Sequence, residues 1–151
     1  MRNVTLVSAG PKDIPALADL LGLLFASEAD FWPSRKKQLS ALHMILAHPN
    51  SGRIFVARVK GRIAGMVNLR FLISTAEGGK VIQLEDLIVH PDFRGRGLGT
   101  RLLRHAIFFT HRKKFKRITL LTDAVNAAAQ SLYRRHGFKP SAMIPLRLHL
   151  S

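Results

Sequence analysis

Gln83-Leu-Glu-Asp-Leu-Ile-Val-His-Pro-Asp-Phe-Arg-Gly-Arg-Gly-Leu-Gly-Thr100, continuing through Arg101-Leu-Leu-Arg104, is the stretch on which the reading of this chain turns. Leu84 to Val89 is an apolar run bounded by Pro91 and Asp92, which suits a buried strand. A short loop follows in which Gly95, Gly97 and Gly99 alternate with other residues. Beyond it, Leu98, Leu102, Ala106 and Phe109 recur at helical spacing and mark one buried face.

Strand, glycine turn and helix together make an anion site out of backbone. Glycines let N–H groups approach a phosphate closely and take unusual dihedrals. The first helical turn adds unpaired donors and the positive end of the helix dipole. Arg94 and Arg96 add side-chain charge in a geometry that suits phosphate. The expected ligand is therefore phosphorylated. It is not held by a P-loop, because no Lys-Ser/Thr follows the glycines. Nor do glycines spaced evenly by two match the dinucleotide fingerprint.

Arg94-x-x-Gly97-x-Gly99 resembles the Gln/Arg-x-x-Gly-x-Gly/Ala signature of the GCN5-related N-acetyltransferases (GNAT), whose loop cradles the pyrophosphate of acetyl-coenzyme A. The segment Leu-Ile-Val-His-Pro-Asp-Phe-Arg94 looks like that family's fourth strand and its exit. Asn126-Ala-Ala-Ala-Gln-Ser-Leu-Tyr133-Arg-Arg-His-Gly137-Phe138 is similar to the family's Asn-x-x-Ala-x-x-x-Tyr-x-x-x-Gly-Phe segment. The resemblance spans the whole element order and is tight in residues from about Leu84 to Phe138. It implies an α/β fold: a mixed, mostly antiparallel central sheet of six to seven strands, with strands four and five splayed, flanked by about four helices. It also implies acetyl-CoA as co-substrate, bound by Arg94, Gly95, Arg96, Gly97, Leu98, Gly99 and Thr100, with Asn126 and Ala129 on the pantetheine arm.

For chemistry the resemblance puts Tyr133, the only tyrosine, beside the coenzyme sulfur. A phenol of pKa about 10 stays protonated at neutral pH and can donate to a departing thiolate. The plainer alternative is a core tyrosine with its hydroxyl tied to backbone. Glu85 is the candidate base, since a carboxylate inside an apolar strand is costly unless paired or functional. Its alternative is an ion pair with one of the many arginines. Asp86 should face the other side of the sheet unless a bulge intervenes. The amides of Leu87, Ile88 and Val89, freed by strand splay, are the candidate oxyanion donors. With no cysteine in the chain, direct transfer in a ternary complex is expected over a covalent enzyme intermediate. By the resemblance, the connection between the first two helices, here Glu28, Asp30, Phe31 and Trp32, would wall the acceptor site. Its two carboxylates and two aromatics could hold an ammonium by charge and cation–π contact, or else form a surface loop with Phe31 and Trp32 tucked onto the core.

The remaining composition is consistent with this. At 151 residues and 47% hydrophobic content the chain fits a single domain, 1–151, with a real core. No stretch reads as a signal peptide, and the longest apolar block, Ala16 to Ala26, is interrupted by Asp19 and falls short of the ~20 residues that span a bilayer. Absence of cysteine excludes disulfides and thiolate metal sites and suits a cytoplasmic protein. The histidines are scattered, and no metal site is expected. The net charge of +15 is the odd feature. It reads as a solvated helix face or as a field that attracts an anionic coenzyme. A nucleic-acid-binding module is the rival function, disfavoured by the few aromatics interleaved with the basic cluster and the lack of a binding motif. An acetyltransferase acting on an RNA-borne or protein amine would reconcile charge and motif. A homodimer through the alternating terminal segment Pro145–Leu150 is a further possibility.

Along the chain, strands are expected at Asn3–Ser8, at a hairpin (Arg53–Val59, Arg62–Ser74) turning on Lys60-Gly61, at Lys116–Thr122 and at Pro145–Leu150. Helices are expected at Pro11–Phe25, Ser34–Ala47 and Asn126–Arg135, the last closed by Gly137. Gly65 inside a strand predicts a bulge or a close backbone approach.

Overall fold

A computed structural model describes residues 3–150. The chain divides into two compact units, Met1–Leu121 and Thr122–Ser151. The first holds β1 (Val4–Ser8), α1 (Ile14–Ser27), α2 (Arg35–Ala47), β2 (Gly52–Val59), β3 (Arg62–Ser74), β4 (Gly79–Val89), α3 (Leu98–Arg112) and β5 (Ile118–Leu120), with short 3-10 turns at Pro11–Asp13 and Pro91–Phe93. The second holds α4 (Ala127–Arg135). Neighbouring strands follow chain order, β1-β2-β3-β4-β5, antiparallel throughout except for the parallel pair β4–β5.

The sequence explains the joints. Lys60 and Gly61 both take positive φ (50° and 77°), the two-residue turn whose twist matches a hairpin, so Val59 pairs with Arg62. At Gly65 both expectations hold. The β2–β3 register shifts between Ala57 and Arg58, and a Cβ on Gly65 would lie 2.9 Å from both the Ile88 carbonyl oxygen and Leu102 Cδ1. Only glycine lets β3, β4 and α3 meet there. Helix α2 opens on four polar residues, Arg35 to Gln38, and is tied down by Gln38, whose Nε2 donates to the Ala18 carbonyl at 2.9 Å while its Oε1 accepts from Ser34 N at 2.8 Å. Asp13 does the same for the start of α1: its Oδ2 accepts from Gly10 N and from Arg58 on β2, both at 2.8 Å.

Two apolar layers clamp the sheet. Leu17, Leu20, Leu21 and Leu42 from α1 and α2 pack with Ile54, Val56, Met66 and Ile88. Each such side chain, fully buried, is worth about 1.5–3 kcal/mol. On the opposite face, α3 presents Leu98, Leu102, Leu103 and Ala106. Phe109 joins Phe55, Phe71 and Phe115 there, with ring centroids 4.9–6.1 Å apart.

The expectation of six to seven strands is corrected to five among the described residues. Pro145–Leu150 alternates as a strand should, yet no ladder pairs with it, and Leu146 and Leu148 stand in water, 89% and 85% exposed. Period-two patterning specifies which face a strand would bury but does not supply a neighbour to bond it. The strand expected over Lys116–Thr122 shortens to Ile118–Leu120, the part that pairs in register with Ile82–Leu84 on β4.

Candidate active site

After Val89 the chain turns through His90, whose Nδ1 accepts from Asp92 N at 3.1 Å, and through buried Phe93 into the glycines. Gly95 and Gly97 take φ of 76° and 78°, a left-handed conformation that costs any L side chain. Gly97 is the N-cap of α3, and the first helical bond runs from Arg101 N to the Gly97 carbonyl at 3.1 Å. The amides of Leu98, Gly99 and Thr100 therefore have no partner one turn back. A Cβ added to Gly95 or Gly97 meets nothing within 4 Å, so the turn is open on its outer side and its glycines are required by dihedral, not by space. An open turn of unpaired N–H groups at a helix start fits a diphosphate. Arg94 braces it: Nε donates to the Val89 carbonyl at 3.0 Å, leaving the terminal nitrogens for a ligand. The Arg96 guanidinium lies over the Phe93 ring at 5.7 Å.

Strand β4 is where the sheet parts. It pairs with β5 only from Ile82 to Leu84, so residues 85–89 have no β5 neighbour. His90 N donates to the Ala64 carbonyl on β3, and strand amides alternate in direction. Ile88 therefore turns its N–H into the β3 ladder, while Leu87 and Val89 turn theirs toward the gap. Of the three amides expected to face an oxyanion, the geometry leaves these two.

A polar cluster stands on the sheet face that α1 and α2 cover, at the middle of this gap. Between the pairs Asn68–Glu85 and Met66–Ile88, β4 carries one residue more than β3. That bulge is centred on Asp86, whose φ is +53°. It overturns simple alternation: Asp86 Oδ2 accepts from Asn68 Nδ2 at 3.1 Å, so Asp86 lies on the same face as Asn68 and Glu85. Arg70, two residues along, donates from Nη1 to Asn68 Oδ1 at 3.3 Å and from Nη2 to the Ser51 carbonyl at 2.5 Å. Burial raises the pKa of Asp86, opposed by its bond to Asn68 and by Arg70. Glu85 keeps a good share of its surface open, yet partial burial, then the Asp86 charge, raise its pKa against the pull of Arg70. Burial likewise lowers that of Arg70. A carboxylate poised above its ordinary range, half in water, can take a proton from an amine. Sequence reasoning passed over Asn68 and Arg70. The signal available was two polar residues, spaced by two, inside the apolar run Ile63–Ile73.

In the second unit Asn126 caps α4, its Oδ1 accepting from Ala129 N at 3.0 Å, so its Nδ2 is the group left for a ligand carbonyl. Gly137, at φ 93°, closes the helix, and Phe138 N reaches back to the Tyr133 carbonyl at 3.1 Å. This turn brings the Phe138 ring edge-on to Tyr133, 5.7 Å between centroids. Tyr133 and Ala129 are both half-buried.

The α1–α2 connection carries Glu28, Asp30, Phe31 and Trp32. Phe31 packs on Phe25 at 5.5 Å, whereas Trp32 is 90% exposed and is not tucked onto the core. Among the described residues no group of three His, Asp or Glu could hold a metal, and no helix is long and apolar enough to cross a membrane.

Comparison with known proteins completes the picture. The model of the acetyltransferase (GNAT) family matches residues 17–138. An uncharacterized N-acetyltransferase of Methanocaldococcus jannaschii is 30% identical over 148 residues, which are 95% of this chain and 62% of that protein. A putative [ribosomal protein bS18]-alanine N-acetyltransferase of Bacillus subtilis is 25% identical over 120 residues, 80% of this chain and 75% of that one. A predicted acetyltransferase from Clostridium acetobutylicum, solved with acetyl-CoA, superposes with a TM-score of 0.76 at 18% identity, covering 97% of this chain and 96% of that one.

Proposed function

The chain belongs to the acetyltransferase (GNAT) family, N-acetyltransferases that use acetyl-coenzyme A as co-substrate, and from that membership we propose that it acetylates a primary amine by direct attack within a ternary complex. The observation that carries the proposal is the open turn at Gly95 and Gly97, set where β4 leaves β5. Acetyl-coenzyme A supplies the thioester. The amides and arginines of residues 94–100 hold its diphosphate, and Asn126 and Ala129 lie along its pantetheine arm. The amides of Leu87 and Val89 point to where charge develops on the carbonyl oxygen. Glu85 takes the proton that the acceptor ammonium gives up, and the Tyr133 hydroxyl returns one to the sulfur. Glu28, Asp30, Phe31 and Trp32 receive the acceptor. The family match crosses from the first compact unit into the second, which supports reading 1–151 as one acetyltransferase domain.

A protein amine is the acceptor we favour. Its support is the Bacillus subtilis relative named for an alanine of a ribosomal protein. A cytoplasmic setting accords with that choice. The exposed Leu146 and Leu148 favour pairing of the terminal segment with its counterpart in a second chain. Light scattering of the parent against Leu148→Asp tests this, with a dimer expected only for the parent.

Calorimetric titration with acetyl-CoA is the first test, and no binding below millimolar concentration removes the reading. Release of coenzyme A across peptides, amino acids, polyamines and aminoglycosides then identifies the acceptor, and release with none of them overturns the choice of a protein amine.

A further inference from the structure

The outer side of α3 has no part in the chemistry above. Residues 93–122 contain no Asp or Glu, so the helix and the turn after it carry basic charge alone. Arg104, Phe108 and Arg112 stand at i, i+4 and i+8, on one face and about 6 Å apart along the axis. All three are exposed, Phe108 at 59%. Among the described residues neither guanidinium has a carboxylate partner, whereas Arg117 pairs with Glu77 at 3.8 Å. The adjacent Phe109 shows that the helix can bury a ring, since it packs inward on Phe55 and Phe71. A lone exposed Phe is ordinary. A ring flanked one turn to either side by arginines without a carboxylate partner, on an acid-free helix followed by Lys113, Lys114 and Lys116, is a stacking platform inside an electrostatic track.

We propose that this face binds single-stranded RNA, phosphates on Arg104, Arg112 and the lysines of the turn, and one base stacked on Phe108. Charge complementarity demands a polyanion, and the ring decides among polyanions. An acidic peptide needs only the cations. A bilayer needs more apolar surface than one ring, and the leucines of α3 are already buried in the core. Duplex bases are stacked on each other and have no free face to offer. Few aromatics stand amid the basic cluster in the sequence, and the helix turns Phe108 about 100° away from the inward Phe109, out among the arginines.

Fluorescence anisotropy with a labelled 20-nucleotide single-stranded RNA of mixed sequence tests the proposal. Binding should saturate at low salt and weaken with salt at a slope of roughly −0.7 per phosphate neutralised. Phe108→Ala should weaken it about ten-fold without changing that slope. Arg104→Gln with Arg112→Gln should flatten the slope by about 1.4. Lys12→Gln with Lys36→Gln, equal in charge lost but off this face, should leave both unchanged. Acetyl-CoA binding by the Phe108 variant, measured in parallel, reports that it is folded. No RNA binding at low salt overturns the proposal. So does equal loss from the Lys12 and Lys36 pair, indifference to Phe108→Ala, or tighter binding of a polyglutamate peptide or phosphatidylserine vesicles than of RNA.

Discussion

Asn68 on β3 donates its side-chain amide to Asp86 Oδ2 on β4 at 3.1 Å, across the point where β4 holds an extra residue. The bond keeps a second carboxylate beside Glu85, with the Arg70 cation acting on both. As a base, Glu85 must be ionised, so kcat/KM should rise with pH through an inflection above the ordinary glutamate range. Asp86→Asn removes a charge that raises it and should move the inflection down. Glu85→Gln should abolish it and cost roughly 10²–10⁴ in rate. A pH–rate profile unchanged in both variants removes Glu85 from the mechanism.

The same pair sets a stability profile. Both carboxyls bind protons more tightly folded than unfolded. Their contribution is therefore most favourable below the ordinary carboxylate range and is lost as pH rises through the raised folded values. Asp86→Asn keeps a residue that tolerates positive φ and removes this loss. Urea midpoints should match the parent near pH 4 and exceed it at pH 8.

Gly97→Ala puts a Cβ on a φ of 78° in open space, so its cost is backbone strain alone, about 1–2 kcal/mol. Acetyl-CoA affinity should fall with it. Gly10→Ala, at an extended φ of −116° and also in open space, should be neutral or slightly stabilising. Thermal melts and calorimetry of the two variants separate dihedral from bulk.

Asp13→Ala should destabilise by about 3 kcal/mol, the low end for a broken buried pair because Arg58 keeps some water. Denaturant unfolding measures it, and a loss under 1 kcal/mol would show that the pair is incidental.

Tyr133→Phe keeps the ring against Phe138 and removes the hydroxyl. Turnover should fall about 10²-fold or more while acetyl-CoA binding stays put. Equal losses in both would make the hydroxyl a binding group instead.

Sequence carried the frame where pattern and local chemistry agree. The glycine turn, the Lys60-Gly61 hairpin, the Gly137 cap and the crowding at Gly65 each follow from a residue whose backbone needs are peculiar to it. What escaped was set by partners distant in the chain. The Asp86 bulge depends on β3 register, Asn68 and Arg70 matter only through what β4 brings to them, and Pro145–Leu150 has the pattern of a strand without a neighbour. Helical phase put Phe109 on the buried face and left Phe108 off it, but the exposure of Phe108 between two arginines came only with the folded helix.

The brevity of β5 has a thermodynamic corollary. The ladder stops at Leu84 and Leu120, so beyond it the outward amides of β4 hold no bond to β5. On the proposed function, a slender amide-bearing chain bound along this edge would break no β4–β5 bond, and its own amides would complete the edge. Lengthening β5 by design should therefore close the groove and stabilise the sheet at the expense of catalysis.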